Sequence, residues 1–244
     1  MKSILITGCN RGLGLGLVQQ LVNLPSPPEK IFATCRDISK ATKLKEIADK
    51  NKNVQIIEID LKDTTRYNEI IAKVEEQVGD DGLNVLFNNA AIAIPTTIED
   101  VEVDTMAEVY LVNTIIPVML TKAFMPLLKK AAKKKNEFGI DRAAIINMSS
   151  LVASITENTL GGKYAYRCSK TAINAATKSM SIDLKKYGIM AISMDPGWVQ
   201  TDMGGSNAKI DVETSTSNII NVLQSLEEKH SGQYIQYSGK ILPW

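Results

Sequence analysis

The chain has 244 residues, 44% of them apolar, and its 28 basic and 27 acidic side chains leave a formal net charge of +1. That length suffices for one large domain with a buried core, and the balanced charge argues against nucleic acid or an anionic membrane as the main partner. No apolar run reads as a membrane span, and the three cysteines, Cys9, Cys35 and Cys168, include no C-x-x-C pair, so neither a disulfide framework nor a metal site is expected. The chain enters an apolar run at once, without a cleavable leader pattern, which points to a reducing, cytoplasmic setting. His230 is the lone histidine, so a Ser-His-Asp relay would rest on it alone. The Ser231-Gly232 step that follows favours a cap at a helix C-terminus instead.

Strand-like apolar runs at 3–7, 30–35, 54–60, 83–88, 143–148, 190–195 and 233–237 alternate with amphipathic segments near 12–23, 39–51, 64–78, 102–134, 164–186 and 212–229. Continuously apolar strands such as AAIINM suit a parallel sheet covered on both faces. The alternation predicts one doubly wound α/β domain of about seven strands over 1–244, with helices on both faces. The lysines at 129, 130, 133, 134 and 135 fit a solvated last helical turn better than an anion site.

In such a sheet, ligands bind beyond the carboxyl ends of the strands. After the first strand, Gly8, Gly12 and Gly14 sit where strand hands over to helix, within TGCNRGLG. Glycine permits the tight turn and lets a phosphate reach the backbone N–H groups at the positive end of the helix. The spacing is G-x-x-x-G-x-G, so Gly8, Asn10, Arg11, Gly12, Leu13 and Gly14 are candidate dinucleotide contacts. After the second strand, an NAD-preferring site would place a carboxylate for the ribose 2′-hydroxyl. Here Cys35 takes that place and Arg36 follows. Arg11 and Arg36 together favour a 2′-phosphate, hence NADP(H). Asp37 is the counter-indication, one position later. Asp60, followed by Leu61, could accept from an adenine amino group or cap the next helix. Asn88-Asn89-Ala90-Ala91 suits a close backbone approach to a ligand, or a polar turn.

Tyr166 and Lys170 lie four apart and share a helix face. A phenol with pKa near 10 is a poor proton-transfer group at neutral pH, and an adjacent ammonium is expected to lower that value. The pair gains weight from its placement after the fifth strand, whose end reads Asn147-Met148-Ser149-Ser150.

The ordered set TGCNRGLG, NNAA, NMSS, YRCSK and DPGWVQTD resembles the short-chain dehydrogenase/reductase family over essentially the whole chain, with a Rossmann-type fold. KYAYRCSK, PGWVQTDMGG and GKILPW resemble its sniffer-like carbonyl reductase branch and the related bacterial C-factors. The resemblance implies Tyr166 as general acid, Lys170 as its modulator and a holder of the nicotinamide ribose, Ser150 as a hydrogen-bond donor to the substrate oxygen, and Asn113 as anchor of a relay water. It likewise implies cofactor contacts from Asn89, Ala90 and Ala91, and from Pro196, Gly197, Val199 and Thr201. Two departures stand out. Ala91 replaces a glycine, and 16 positions separate Ser150 from Tyr166, more than is common, through the insertion TENTLGG; Ser149 therefore competes with Ser150.

The pocket is expected to be lined by Ile92, Ile94, Leu151, Val152, Ile155, Trp198 and Met203, with no cation for a carboxylate. A neutral, apolar ketone, aldehyde or quinone is the implied small-molecule substrate, and Met203-Gly204-Gly205-Ser206 reads as a mobile lid. A 3-oxoacyl or sepiapterin-type reductase and a cofactor-binding signalling protein without turnover are the alternatives. Pairing through the long fifth and sixth helical segments, frequent in the family, leaves a homodimer open.

Overall fold

A computed structural model describes all residues, 1–244. Seven strands, β1 (Ser3–Ile6), β2 (Lys30–Cys35), β3 (Val54–Glu58), β4 (Val85–Asn88), β5 (Ala144–Met148), β6 (Met190–Asp195) and β7 (Tyr234–Gln236), form one sheet in the order β3-β2-β1-β4-β5-β6-β7. Every pairing between them is parallel. The helices are α1 (Gly12–Val22), α2 (Thr42–Lys50), α3 (Tyr67–Val78), α4 (Val103–Tyr110), α5 (Ile116–Ala132), α6 (Tyr164–Asp183) and α7 (Val212–Gln224).

Alternation along each strand sorts the core into two layers. Ile4, Ile6, Phe87 and Ile146 pack with Leu17, Leu21, Leu44, Ile219 and Leu223, which places α1, α2 and α7 on one face. Leu5, Phe32, Leu86 and Ile145 pack with Ile70, Val74, Leu120, Phe124 and Leu127, which places α3 and α5 on the other. The expected doubly wound fold is thus present, with its strand order reversing between β1 and β4.

Three local readings need correction. The apolar stretch from Val103 to Ala132 is one 30-residue helical run, long and apolar enough to cross a membrane. It lies instead against the sheet, with Ile116, Leu120 and Phe124 in the core. Between α4 and α5 it contains a π turn, Leu111–Ile115. His230 does not cap the end of α7. Its Nδ1 accepts from the Glu227 N–H at 2.9 Å, as part of a reciprocal cap on a short 3₁₀ turn, Glu228–His230. The helix expected from residue 64 opens as a 3₁₀ turn capped by Asp63, so Asp60 is not that cap.

The lysine group follows the expectation for a helix end. Lys129 lies 3.9 Å from the centre of the Tyr187 ring, and Lys130 pairs with Glu75 at 2.7 Å.

Candidate active site

The carboxyl ends of β1 and β4 meet at the switch point. The glycine turn there is braced from beneath. Thr7 Oγ1 accepts from the N–H groups of Asn89 and Ala90, both at 2.9 Å, and Asn89 Nδ2 donates to Thr7 O at 2.8 Å. Gly8 has φ +71°, and a Cβ there would press on Ala90 at 3.1 Å. Gly14 permits the closest approach, since a Cβ would fall 2.2 Å from Gly8 O. Gly12 differs. It has φ +56° at the first position of α1, and the nearest atom to a Cβ would be Thr201 Cγ2 at 3.6 Å. The helix start is therefore open above Gly12, with no acidic side chain in its first turn to compete for an anion.

The loop after β6 lies over this opening. Thr201 Oγ1 accepts from Gly204 N–H at 3.1 Å, and Trp198 Nε1 donates to Gly204 O at 2.7 Å. Arg11 Nη1 sits 2.6 Å from Asp202 Oδ2, joining this loop to the glycine turn. Pro196 O accepts from Ser215 Oγ at 2.7 Å, and Val199 is buried.

At the end of β2, Asp37 is turned away from a ribose-binding role. Its Oδ1 caps the Ile38–Lys40 turn through Ser39 N–H at 2.9 Å, and its Oδ2 pairs with Lys40 at 3.2 Å. These bonds hold its carboxyl below the usual carboxylate range. Arg36 is exposed. Asp60 Oδ1 accepts from Lys62 N–H at 2.9 Å in a local turn, and the Leu61 side chain is core.

The helix α6 carries Tyr166 and Lys170 into the mouth of this cleft. Lys170 is 1% exposed, and its Nζ lies 5.8 Å from the centre of the Tyr166 ring and donates to Met148 O at 2.7 Å. Burial lowers its pKa to about 7. The Ser150 side chain lies close enough to the Tyr166 phenol to favour its ionised form, whereas Ser149 is buried below and donates its N–H to Met194 O at 2.7 Å. Ser150, rather than Ser149, faces the phenol.

The expected lowering of the Tyr166 pKa by Lys170 is not found. Burial of its hydroxyl pushes the phenol up to about 12, and the neighbouring Ser150 side chain works against that rise. The same desolvation that raises the phenol also weakens the lysine as a cation, so the amine does not offset it.

Asn113 sits inside the π turn and is buried. Its Oδ1 accepts from Ile92 N–H at 2.9 Å, while Nδ2 donates to Ile92 O at 2.9 Å and to Ser169 Oγ at 3.0 Å. The side chain thereby ties the loop after β4 to the first turns of α6. Thr114 Oγ1 adds a bond to Ser169 O at 2.8 Å.

Leu151, Ile155, Trp198 and Met203 are exposed at the mouth, and the insertion carries Leu160 at 90% exposure. Gly161, Gly162 and Lys163 all have positive φ, and Arg167 gathers the carbonyls of Val152, Gly161 and Gly162 at 2.9, 3.2 and 3.1 Å. Sequence reasoning passed over the layer behind Ser150. Tyr234 on β7 donates its hydroxyl to Ser150 O and stacks on Trp244 at 5.6 Å between ring centres. Asp195 Oδ1 accepts from Leu151 N–H at 2.8 Å. A carboxylate ending an otherwise apolar strand was the signal for Asp195; nothing marked Tyr234.

A nucleotide-ready turn at the switch point, with a tyrosine and a lysine converging one strand away, defines an oxidoreductase of the doubly wound class. The short chain dehydrogenase family model matches residues 2–211, and the chain belongs to that family. It is 52% identical to a solved structure described as carbonyl reductase Sniffer of D. melanogaster, which covers all of both chains with a TM-score of 0.99. A structure of NADPH-bound carbonyl reductase from chicken fatty liver is 41% identical, covering 100% of this chain and 99% of that one with a TM-score of 0.96. The C-signal protein of Myxococcus xanthus is 36% identical over 163 residues, 66% of this chain and 93% of that protein.

Proposed function

We propose that the protein is an NADPH-dependent carbonyl reductase acting on apolar ketones, aldehydes or quinones, with Tyr166 as general acid. The observation that carries this reading is the convergence of the Tyr166 phenol, the Ser150 hydroxyl and the buried Lys170 amine beside the open helix start at Gly12. The similarity to two carbonyl reductases supports it.

The residues present fit NADP(H). The space above Gly12 admits a pyrophosphate, Arg11 and exposed Arg36 suit a 2′-phosphate, and the one carboxylate near that position, Asp37, is held by Ser39 and Lys40. Gly8, Asn10, Leu13 and Gly14 would shape the turn, with Asn89, Ala90 and Ala91 on its β4 side. Asp60 and Leu61 would face the adenine, and Pro196, Gly197, Val199 and Thr201 would close over the nicotinamide end. NADPH supplies a hydride when bound.

Tyr166 donates its proton to the carbonyl oxygen as negative charge develops there. A phenol at about 12 carries that proton throughout the neutral range, which matches the reducing direction. Ser150 donates to the same oxygen and stabilises the nascent alkoxide. Lys170, next to the phenol, is placed to return a proton towards it and to hold the ribose. Asn113 fixes the helix that presents both, and the π turn around it is where a relay water would be held.

The apolar mouth formed by Leu151, Ile155, Trp198 and Met203 supports an uncharged substrate. Exposed Val103, Tyr110 and Ile115 along the α4–α5 run support a homodimer. The unpaired thiols of Cys9, Cys35 and Cys168 support a cytoplasmic setting.

The decisive assay follows NADPH consumption with a panel of quinones and ketones, for wild type and Tyr166→Phe. Loss of about a hundredfold or more in kcat is expected for the variant; equal rates would remove Tyr166 as the acid. Absence of turnover with every carbonyl, alongside tight NADPH binding, would favour a signalling role, which the likeness to C-signal keeps in view.

A further inference from the structure

The last residues of the chain, GKILPW, carry none of the proposed chemistry, yet they are bonded to the serine loop from behind. Beyond β7, Gly239 takes φ +85° and donates its N–H to Gln236 O at 2.8 Å, which turns the chain back. Gln236 N–H donates to Lys240 O and Leu242 N–H to Tyr234 O, both at 2.8 Å, and Ile241 bridges Ile235 in the antiparallel sense. Buried Leu242 anchors the return. Trp244 is thereby laid on Tyr234, with ring centres 5.6 Å apart and planes 20° from parallel. Its main-chain oxygen accepts from Thr156 N–H at 3.2 Å, Thr156 Oγ1 at 3.0 Å and Ser154 Oγ at 3.2 Å.

We propose that Trp244 is a positioning residue for Ser150, holding the serine loop through Tyr234 and the start of the insertion through its own main-chain oxygen. The path is short. Tyr234 donates its hydroxyl to Ser150 O, so the seat of the serine follows the tilt of the Tyr234 ring. That side chain is fully buried, and the indole stacked on it, 40% exposed, lies between it and solvent. Tyrosine and tryptophan each have only two side-chain torsions, so the stack fixes the hydroxyl at small entropic cost. On the far side of the loop, Ser154 is 1% exposed, and its hydroxyl accepts from Glu157 N–H at 3.1 Å while donating to Trp244 O. Both ends of the segment 150–157 are therefore tied to the tail. Between them lie Leu151 and Ile155, two of the apolar residues at the mouth.

The inference rests on the carbonyl-reductase reading for the role of Ser150, so one of its two readouts needs no turnover. In hydrogen–deuterium exchange, Trp244→Ala is expected to speed exchange across 150–157 by about fivefold, the loss of one aromatic stack, and to leave the glycine turn at 8–14 unchanged. The kinetic readout is a double-mutant cycle with Ser150→Ala. Trp244→Ala alone is expected to lower kcat by about tenfold, and by less than about twofold in a chain already lacking the Ser150 hydroxyl. Trp244→Phe keeps a stacking ring and should restore most of the loss.

Should Trp244→Ala fail to fold, Tyr234→Phe takes its place in both readouts, because it keeps the stack and removes only the hydroxyl that holds Ser150 O. Losses that multiply in the cycle, or unchanged exchange across 150–157 in a folded variant, overturn the proposal. Faster exchange there, in a protein whose wild type turns over no carbonyl, supports the clamp and overturns the reductase reading instead.

Discussion

Arg11 and Asp202 form an ion pair at 2.6 Å between the glycine turn and the loop after β6, although both side chains are largely exposed. An exposed pair of this kind contributes little to stability. Its importance is competitive, because the guanidinium that would meet a 2′-phosphate is the one Asp202 holds. Asp202→Asn is expected to tighten NADPH binding several-fold and leave NADH unchanged. Arg11→Ala and Arg36→Ala should each weaken NADPH by about tenfold, the loss of one charge-assisted contact, with little effect on NADH. Fluorescence titration with both nucleotides measures this. A wild-type preference for NADH would overturn the assignment of the two arginines.

Lys170 should cost the protein stability. The unfolded chain retains this proton up to about 10.5, whereas the native state releases it near 7, so the unfolded state binds more protons between these values. This contribution to stability therefore rises with pH across that window and falls as pH drops towards 7. Lys170→Met, which removes the buried amine and leaves Met148 O without its donor, is expected to stabilise the fold at neutral pH by on the order of 2 kcal/mol while abolishing turnover. Denaturant unfolding at several pH values would show the variant's advantage shrinking as pH rises.

Gly12 and Gly14 should separate binding from folding. Gly14→Ala drives a Cβ to 2.2 Å from Gly8 O, and the shift required is expected to cost about 3 kcal/mol of stability. Gly12→Ala meets no close atom, so its penalty is the positive φ alone, about 1 kcal/mol. Its methyl group points into the space above the helix start, so nucleotide affinity should fall far more than the melting temperature. Calorimetric titration and thermal unfolding, run on both variants, distinguish the two effects.

Asn113→Ala removes one acceptor and two donor contacts and leaves both polar groups of Ile92 unmatched. A loss of about 2–3 kcal/mol is expected in denaturant unfolding, with reduced kcat as the start of α6 loosens. Retention of wild-type stability would show that water replaces the amide.

The strand alternation was plain in the sequence because both faces of the sheet are covered, which makes central strands such as β1, β4 and β5 nearly continuous apolar runs. Tyr166 and Lys170 were legible because four-residue spacing is a property of the helix alone. The direction of the phenol's pKa was not, because it depends on how much solvent the fold removes from both partners. Asp37 shows the same limit: its role is decided by Ser39 and Lys40, which reach it only once the turn after β2 has formed. His230 was assigned to the wrong end because the Ser-Gly step after it terminates a 3₁₀ turn rather than α7.

The π turn at Leu111–Ile115 adds one residue to a helix that is otherwise regular on either side. A regular α-helix would carry an inserted residue as a rotation of about 100° in everything downstream. The widened turn takes up that rotation locally, so Leu120 and Phe124 beyond it face the sheet as they would in an unbroken helix. It thus lets the helix hold Asn113 at the site without turning its core side chains away.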